Sequence, residues 1–428
     1  MSYTKPDRRA LLAGTAALTL SSLVAPTIAA AQEDANLRLF WWGSTPRAER
    51  TYAVADQYMA ENPNVTIEGE TVGWADYWTR LATQVAGRNA PDVIQMDYRY
   101  IFEYARRGAL ADLSEYRDGA LPLEGFEEAS LQGGMVDDGL YGVSLGANSS
   151  ATMIDADAFE AAGLEVPTGA MTYDAMADAV MQVVEATDYE YGMHDASGHE
   201  PQLENWLRQR GTPLYTDDGE LGFTVEDATE WFEMWADLRE RGVTVPPDQQ
   251  ALYQRSIETS AVTLGQAPVS FAHSNQLTGY RELNDSTITM IPLPLIEEGA
   301  TGGHYRKPSQ LFSVSSSAEN PEAAAAFIDY FVTNPEAVEV LEVERGVPES
   351  TVAREELAPK LNEADQAQLE YIENLGDLAG PLPPPPPAGA GEVEALLIRV
   401  SEQVAFGQQT PAEGAEQLVS EAQSILSR

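Results

Sequence analysis

The sequence predicts an α/β fold of two lobes, and three observations carry that prediction. Strand-like and helix-like runs alternate from residue 37 onward, a glycine-punctuated extended stretch interrupts them near residue 145, and a second patterned half follows. The chain has 428 residues, 43% of them hydrophobic, which is enough for two sizeable cores.

The elements follow in order. Leu37 to Trp42 is a strand-like apolar run, Arg47 to Asn62 reads as a helix stopped by Pro63, and Val65 to Val72 alternates as a second strand. Tyr77 to Gly87 is helical, Val93 to Asp97 is a short strand with a polar end, and Tyr100 to Leu110 resumes helical spacing. Strands separated by helices form a parallel sheet, which binds ligands at the carboxyl ends of its strands. Those ends are Trp42-Gly43-Ser44, Val72-Gly73-Trp74 and Asp97-Tyr98-Arg99. Tyr141 to Asn148 reads as a crossing between lobes. Tyr173 to Ala186 and Glu226 to Arg241 are amphipathic helices, Pro268 to Phe271 and Ser286 to Ile291 are strands, and Pro292-Leu293-Pro294 marks a second crossing. Pro321 to Val332 is an Ala-rich helix, and the prolines from Pro381 to Pro387 form a stiff spacer before two last helices.

Composition excludes several functions. A formal net charge of -43 rules out nucleic acid as a partner, and with no Cys there is no disulfide framework, thiol nucleophile or Cys-based metal site. The acids are spread along the chain, which is the pattern of a solvated surface. Lys5, Arg8 and Arg9 precede an apolar run from Ala10 to Ile28 and the small residues Ala29 to Ala31, a leader cut after Ala31 with a partial twin-arginine character. Residues 1–31 are therefore expected to be lost on export. No Gly-x-Ser-x-Gly elbow, His-Glu-x-x-His or phosphate-binding loop occurs, and the four His residues lack metal-site spacing, so neither catalysis nor a cofactor or metal is expected.

The chain resembles the type 1 bacterial extracellular solute-binding proteins of sugar ABC importers. The resemblance rests on landmarks in order: Ala90-Pro91-Asp92-Val93, Arg107 to Leu113, Asp138 to Ser144, Asp157 to Leu164, Leu264 to Val269, Pro292-Leu293-Pro294, Glu319 to Ala324 and Phe406 to Glu413. It implies a two-lobed periplasmic binding protein fold of type II with three crossing segments, divided as 32–147 and 292–335 in lobe 1 and 148–291 and 336–428 in lobe 2. It further implies a periplasmic monomer that clamps a small-molecule sugar, a neutral mono- or oligosaccharide, and delivers it to the transmembrane subunits of an ABC permease; the alternative is a non-sugar solute such as a polyamine, or an acidic saccharide. One departure is Met153-Ile154-Asp155-Ala156, where family members commonly carry an aromatic, Asn and Lys.

Sugars pair hydroxyl edges with C–H faces, so their sites need aromatic platforms beside hydrogen-bonding side chains. The candidate contacts are Trp42, Ser44, Trp74, Asp97 and Tyr98 at the strand ends and Asn148 and Ser149 at the crossing. Trp206, His273, Asn275, Tyr305 and Arg345 complete the set from the second half. Trp231 and Trp235, four apart on a helix, are expected in the core, as is Trp78. A salt bridge at the surface is the structural alternative for Arg345 and Arg399.

Overall fold

The computed structural model describes residues 34–43, 45–253 and 257–428. The expected leader and the candidate Ser44 lie outside them. The body from Ala35 to Arg428 is one compact unit built on a five-stranded and a three-stranded sheet, with two further two-stranded pairings.

In the first lobe, β1 (Ala35–Trp42), α1 (Thr45–Glu61), β2 (Val65–Val72), α2 (Trp74–Ala86), β3 (Val93–Met96) and α3 (Tyr98–Arg106) follow the predicted alternation. β1 pairs in parallel with β2 and β3. A small hairpin, β4 (Met135–Val136) with β5 (Gly139–Leu140), precedes β6 (Val143–Ser144). The chain later returns as β12 (Leu311–Val314), antiparallel to both β3 and β6, giving the order β2-β1-β3-β12-β6. Alternation along β1 divides its side chains between two cores. Leu37, Leu39 and Trp41 pack with Val54 of α1 and Phe327 and Phe331 of the helix Pro321–Thr333, while Phe40 and Trp42 face Tyr77 and Leu81 of α2.

The second lobe is organised around an antiparallel sheet of β8 (Ser150–Asp155) flanked by β9 (Val269–His273) and β10 (Ile288–Ile291). Ile154, Val269 and Phe271 face a core containing Trp206, Trp231 and Trp235, and Met153, Ile288 and Met290 face a second core with Tyr280 and Tyr371.

Three strands of chain meet between the sheets. β7 (Ala147–Asn148) pairs along one edge with β11 (Lys307–Pro308). On the other edge Ala147 and Val347 exchange two backbone hydrogen bonds of 2.7 and 2.9 Å. Leu293 is buried in the same core as Trp231. Ala337 and Leu341 are buried with Phe331, while Val338, Val343 and Val347 are buried with Tyr280 and Tyr371.

Candidate functional site

A cavity of 420 Å³ opens beside the crossings. Asn148 of β7 and Lys307 of β11 supply its floor, with Gln310 at the entrance to β12, Phe271 and His273 of β9, and Asn275 just beyond. Gln202 of the helix Glu200–Gln209 and Glu394 of the helix Ala390–Ala405 close it from the second lobe. The hinge and the ends of several elements thus converge on one space.

The polar chemistry of this cavity is unfinished. Asn148 donates through Nδ2 to Asn275 Oδ1 at 3.2 Å, which leaves its own Oδ1 buried without a partner. Gln202 Oε1, Gln310 Oε1 and His273 Nδ1 are likewise buried and unpaired. Buried polar atoms in folded proteins are nearly always satisfied, and these four belong to residues that line one cavity. Burial, reinforced by Lys307, pushes the His273 imidazole down to about 3 and keeps it neutral.

His304 has a fixed tautomer. Its Nε2 must accept from the Leu293 N–H at 3.1 Å, so Nδ1 carries the proton and donates to Ser149 Oγ at 3.3 Å. Ser149 is further tied down by its own N–H donating to Ser274 Oγ at 3.2 Å, and it braces the crossing instead of facing the cavity.

Of the twelve candidates, Asn148, His273 and Asn275 line this cavity together. Others lie elsewhere in the fold. Trp42 is buried against Trp74, Tyr77 and Trp78, with ring centroids 5.0, 4.9 and 5.5 Å away, because its side of β1 faces α2. Trp206 is buried 5.7 Å from Trp231 and carries Arg210 on its face. Asp97 caps α3, accepting from Arg99 N at 2.9 Å. Tyr98 donates to the Pro383 carbonyl at 2.7 Å, and Tyr305 donates to Glu204 Oε2 at 2.6 Å beneath Arg208. Trp74 remains exposed at the strand-end rim.

Arg345 is neither a ligand clamp nor a surface salt bridge. It is fully buried over the Phe312 and Phe331 rings, donating to Gln95 Oε1 and, at 2.8 Å, to Thr51 Oγ1. Desolvation lowers its pKa to about 9. Arg399 does form an exposed ion pair, 2.7 Å from Glu421.

Gln202, Lys307, Gln310 and Glu394 were missed. Lys307 and Gln310 bracket Pro308 just ahead of the apolar Leu311–Val314 run, a polar entrance to a strand that offered some signal. Gln202 and Glu394 lie on helices and gave none.

The chain belongs to the bacterial extracellular solute-binding protein family, whose model matches residues 42–338. Members bind small-molecule solutes outside the cytoplasm and work with ABC permeases. A family 1 extracellular solute-binding protein from Alicyclobacillus acidocaldarius superposes with a TM-score of 0.78 at 29% identity, covering 93% of this chain and 100% of the other. A periplasmic oligogalacturonide-binding protein from Yersinia enterocolitica, in complex with saturated digalacturonic acid, gives 0.77 at 23% identity over 92% and 99% of the two chains. A substrate-binding protein of Listeria monocytogenes in complex with cycloalternan gives 0.75 at 18% identity over 92% and 100%. These likenesses agree with the two-lobed α/β architecture.

Among the described residues no group of three or more His, Cys, Asp or Glu is arranged to hold a metal ion, and no helix is long and apolar enough to cross a membrane.

Proposed function

We propose that this chain is the periplasmic receptor of a sugar importer, holding a neutral mono- or oligosaccharide in the hinge cavity and handing it, as a monomer, to the permease. The observation that carries the reading is the set of unpaired buried atoms. Asn148, Gln202 and Gln310 present three amide oxygens, which are acceptors suited to sugar hydroxyls, and neutral His273 adds a ring nitrogen. Phe271 offers an apolar surface for a C–H face in the same cavity. Trp74, at the rim of the first lobe, is the further platform. Export follows from the leader, with maturation after Ala31.

Charge supports the neutral reading. Lys307 and Glu394 put one charge of each sign on the wall, within a chain whose overall potential repels anions. Lys307 is also the observation that favours an acidic saccharide as the second reading, since an ammonium on the floor suits a uronate carboxylate.

Calorimetry with matched neutral and uronic oligosaccharides decides between them. Shortening the Debye length from about 10 Å at 0.1 M salt to about 3 Å at 1 M should leave neutral binding unchanged. Tighter binding of the uronate, weakened by salt, overturns the neutral reading. Small-angle scattering should show a smaller radius of gyration with saturating ligand, and an unchanged radius removes the clamp.

A further inference from the structure

Glu349 lies two residues beyond Val347, in one of the three segments that meet between the sheets, and it is buried. Its partners come from elements far apart in the chain. Ser130 of the short helix Glu128–Leu131 donates to Oε2 at 2.9 Å, and Ser144 of β6 donates to Oε1 at 3.0 Å. Arg306, just ahead of β11, stands off: its Nη2 is 3.6 Å from Oε2, and its Nε is buried without a partner.

Ser144 has one hydroxyl proton and two acceptors for it. Its Oγ is 3.0 Å from Glu349 Oε1 and 3.2 Å from the Gly146 carbonyl, and the Gly146 N–H donates back to it at 3.3 Å. A carboxylate can only accept, so an ionised Glu349 draws the hydroxyl to itself. A neutral carboxyl can instead donate to Ser144 Oγ, and the serine hydroxyl then turns to the Gly146 carbonyl, one residue ahead of β7. Both patterns use the same atoms and fasten different partners.

The charged groups acting on Glu349 are Arg306 and Arg354, and Arg354 is itself held by the Pro348 carbonyl at 2.9 Å and by Glu373 at 3.5 Å. The proline strap contributes no titratable group. Its Pro381 and Leu382 line, with Ser130, Arg306, Pro308 and Glu349, a cavity of 130 Å³ into which Arg306 has room to move. Burial raises the Glu349 carboxyl above the ordinary carboxylate value, with the arginines and serine hydroxyls opposing it.

We infer that Glu349, Ser144 and Arg306 form a proton-operated setting of the hinge. With Glu349 neutral, the chain of hydrogen bonds through Ser144 to Gly146 braces β7 in the arrangement seen here, where the lobes touch through Arg99 and Glu394. With Glu349 ionised, Ser144 releases Gly146 and Arg306 closes on the carboxylate, which shifts the segment entering β11 and favours separation of the lobes. The proton is exchanged with solvent water. The state with the lobes in contact binds the extra proton, so a fall in pH favours it. This holds whatever the solute.

The chain has no Cys, so spin labels at Thr83→Cys on α2 and Glu185→Cys on the helix Tyr173–Ala186, both exposed, report the lobe separation by pulsed electron resonance. In the ligand-free protein the ratio of short to long separations should rise several-fold from about pH 8 to about pH 5, one linked proton allowing at most about tenfold per pH unit. Glu349→Gln cannot ionise but its amide can donate to Ser144, so it should keep the short separation at both pH values. Ser144→Ala keeps the carboxyl and cuts the path to Gly146, so it should lose the response, and it decides the matter if Glu349→Gln does not fold. A wild-type ratio that does not move with pH, or a rise of the same size surviving in either variant, overturns the inference.

Discussion

Arg99 of the first lobe reaches across to the second, its guanidinium 3.4 Å from Glu394 and 3.8 Å from Glu200. The two carboxylates hold its pKa above the ordinary value despite the opposing effect of burial. Tyr98 beside it donates to Pro383, so the start of α3 touches the proline spacer as well. These contacts join lobes that ligand binding is meant to join.

The first prediction concerns that latch. Each pair is partly solvated and contributes roughly 0–1 kcal/mol, so Arg99→Ala should shift a balanced open and closed population several-fold toward open. Scattering of the ligand-free protein should give a larger radius for the variant, and 1 M salt should move the wild type the same way. Identical radii show that the latch does not hold the lobes.

Trp42 and Trp74 should separate cleanly. Trp42→Ala empties a buried aromatic cluster and should cost about 3–5 kcal/mol in denaturant unfolding. Trp74→Ala should cost about 1 kcal/mol or less in stability but about 2 kcal/mol in ligand affinity, roughly thirtyfold. The reverse pattern assigns the platform to Trp42.

Arg345→Met should be destabilising without altering binding by the folded fraction. It removes the partner of Gln95 and Thr51 in a dry site, and about 3 kcal/mol is expected. A variant of normal stability with weakened affinity would return Arg345 to the binding site.

Two buried histidines, His194 and His304, and the half-buried His273 set a pH dependence. His194 and His273 are pushed down to about 3 and His304 to about 4, all by burial, against about 6.5 in the unfolded chain. A depressed folded pKa means stability that is present above about pH 6.5 and lost as pH falls toward the folded value, about 2 kcal/mol for each histidine by pH 5. Buried Glu204 and Glu349, whose pKa values are raised by desolvation, act the other way: their contribution is complete below the unfolded carboxylate value and lost as pH rises. The histidine share is isolated by comparing the fall in Tm from pH 7 to pH 5 in wild type with that in His194→Gln and His304→Gln. Each variant should show a shallower fall, and equal slopes refute the assignment.

The parallel strands and their helices were legible because each carries its own pattern: Leu37 to Trp42 alternates between two cores, and Pro63 stops α1. Trp42 and Trp206 were misplaced because a tryptophan at a strand end or on a helix looks alike in sequence whether it faces ligand or core. Arg345 was illegible for a different reason. A buried guanidinium depends on Gln95 and Thr51, 250 and 294 residues away in the chain, and no local window contains them. The cavity lining has the same character, since Asn148, Gln202, His273 and Gln310 meet only through the fold.

The meeting of three chain segments at Ala147 has a mechanical consequence. β7 is pinned on one edge by β11 and on the other by Val347, and a Cβ added at Gly146 would sit 2.6 Å from the Arg345 carbonyl. Three short ribbons lying side by side resist sliding and shear, yet each can twist about its own backbone. Lobes joined in this way should turn more easily about the line of the ribbons than in other directions, so that each opening would follow much the same arc.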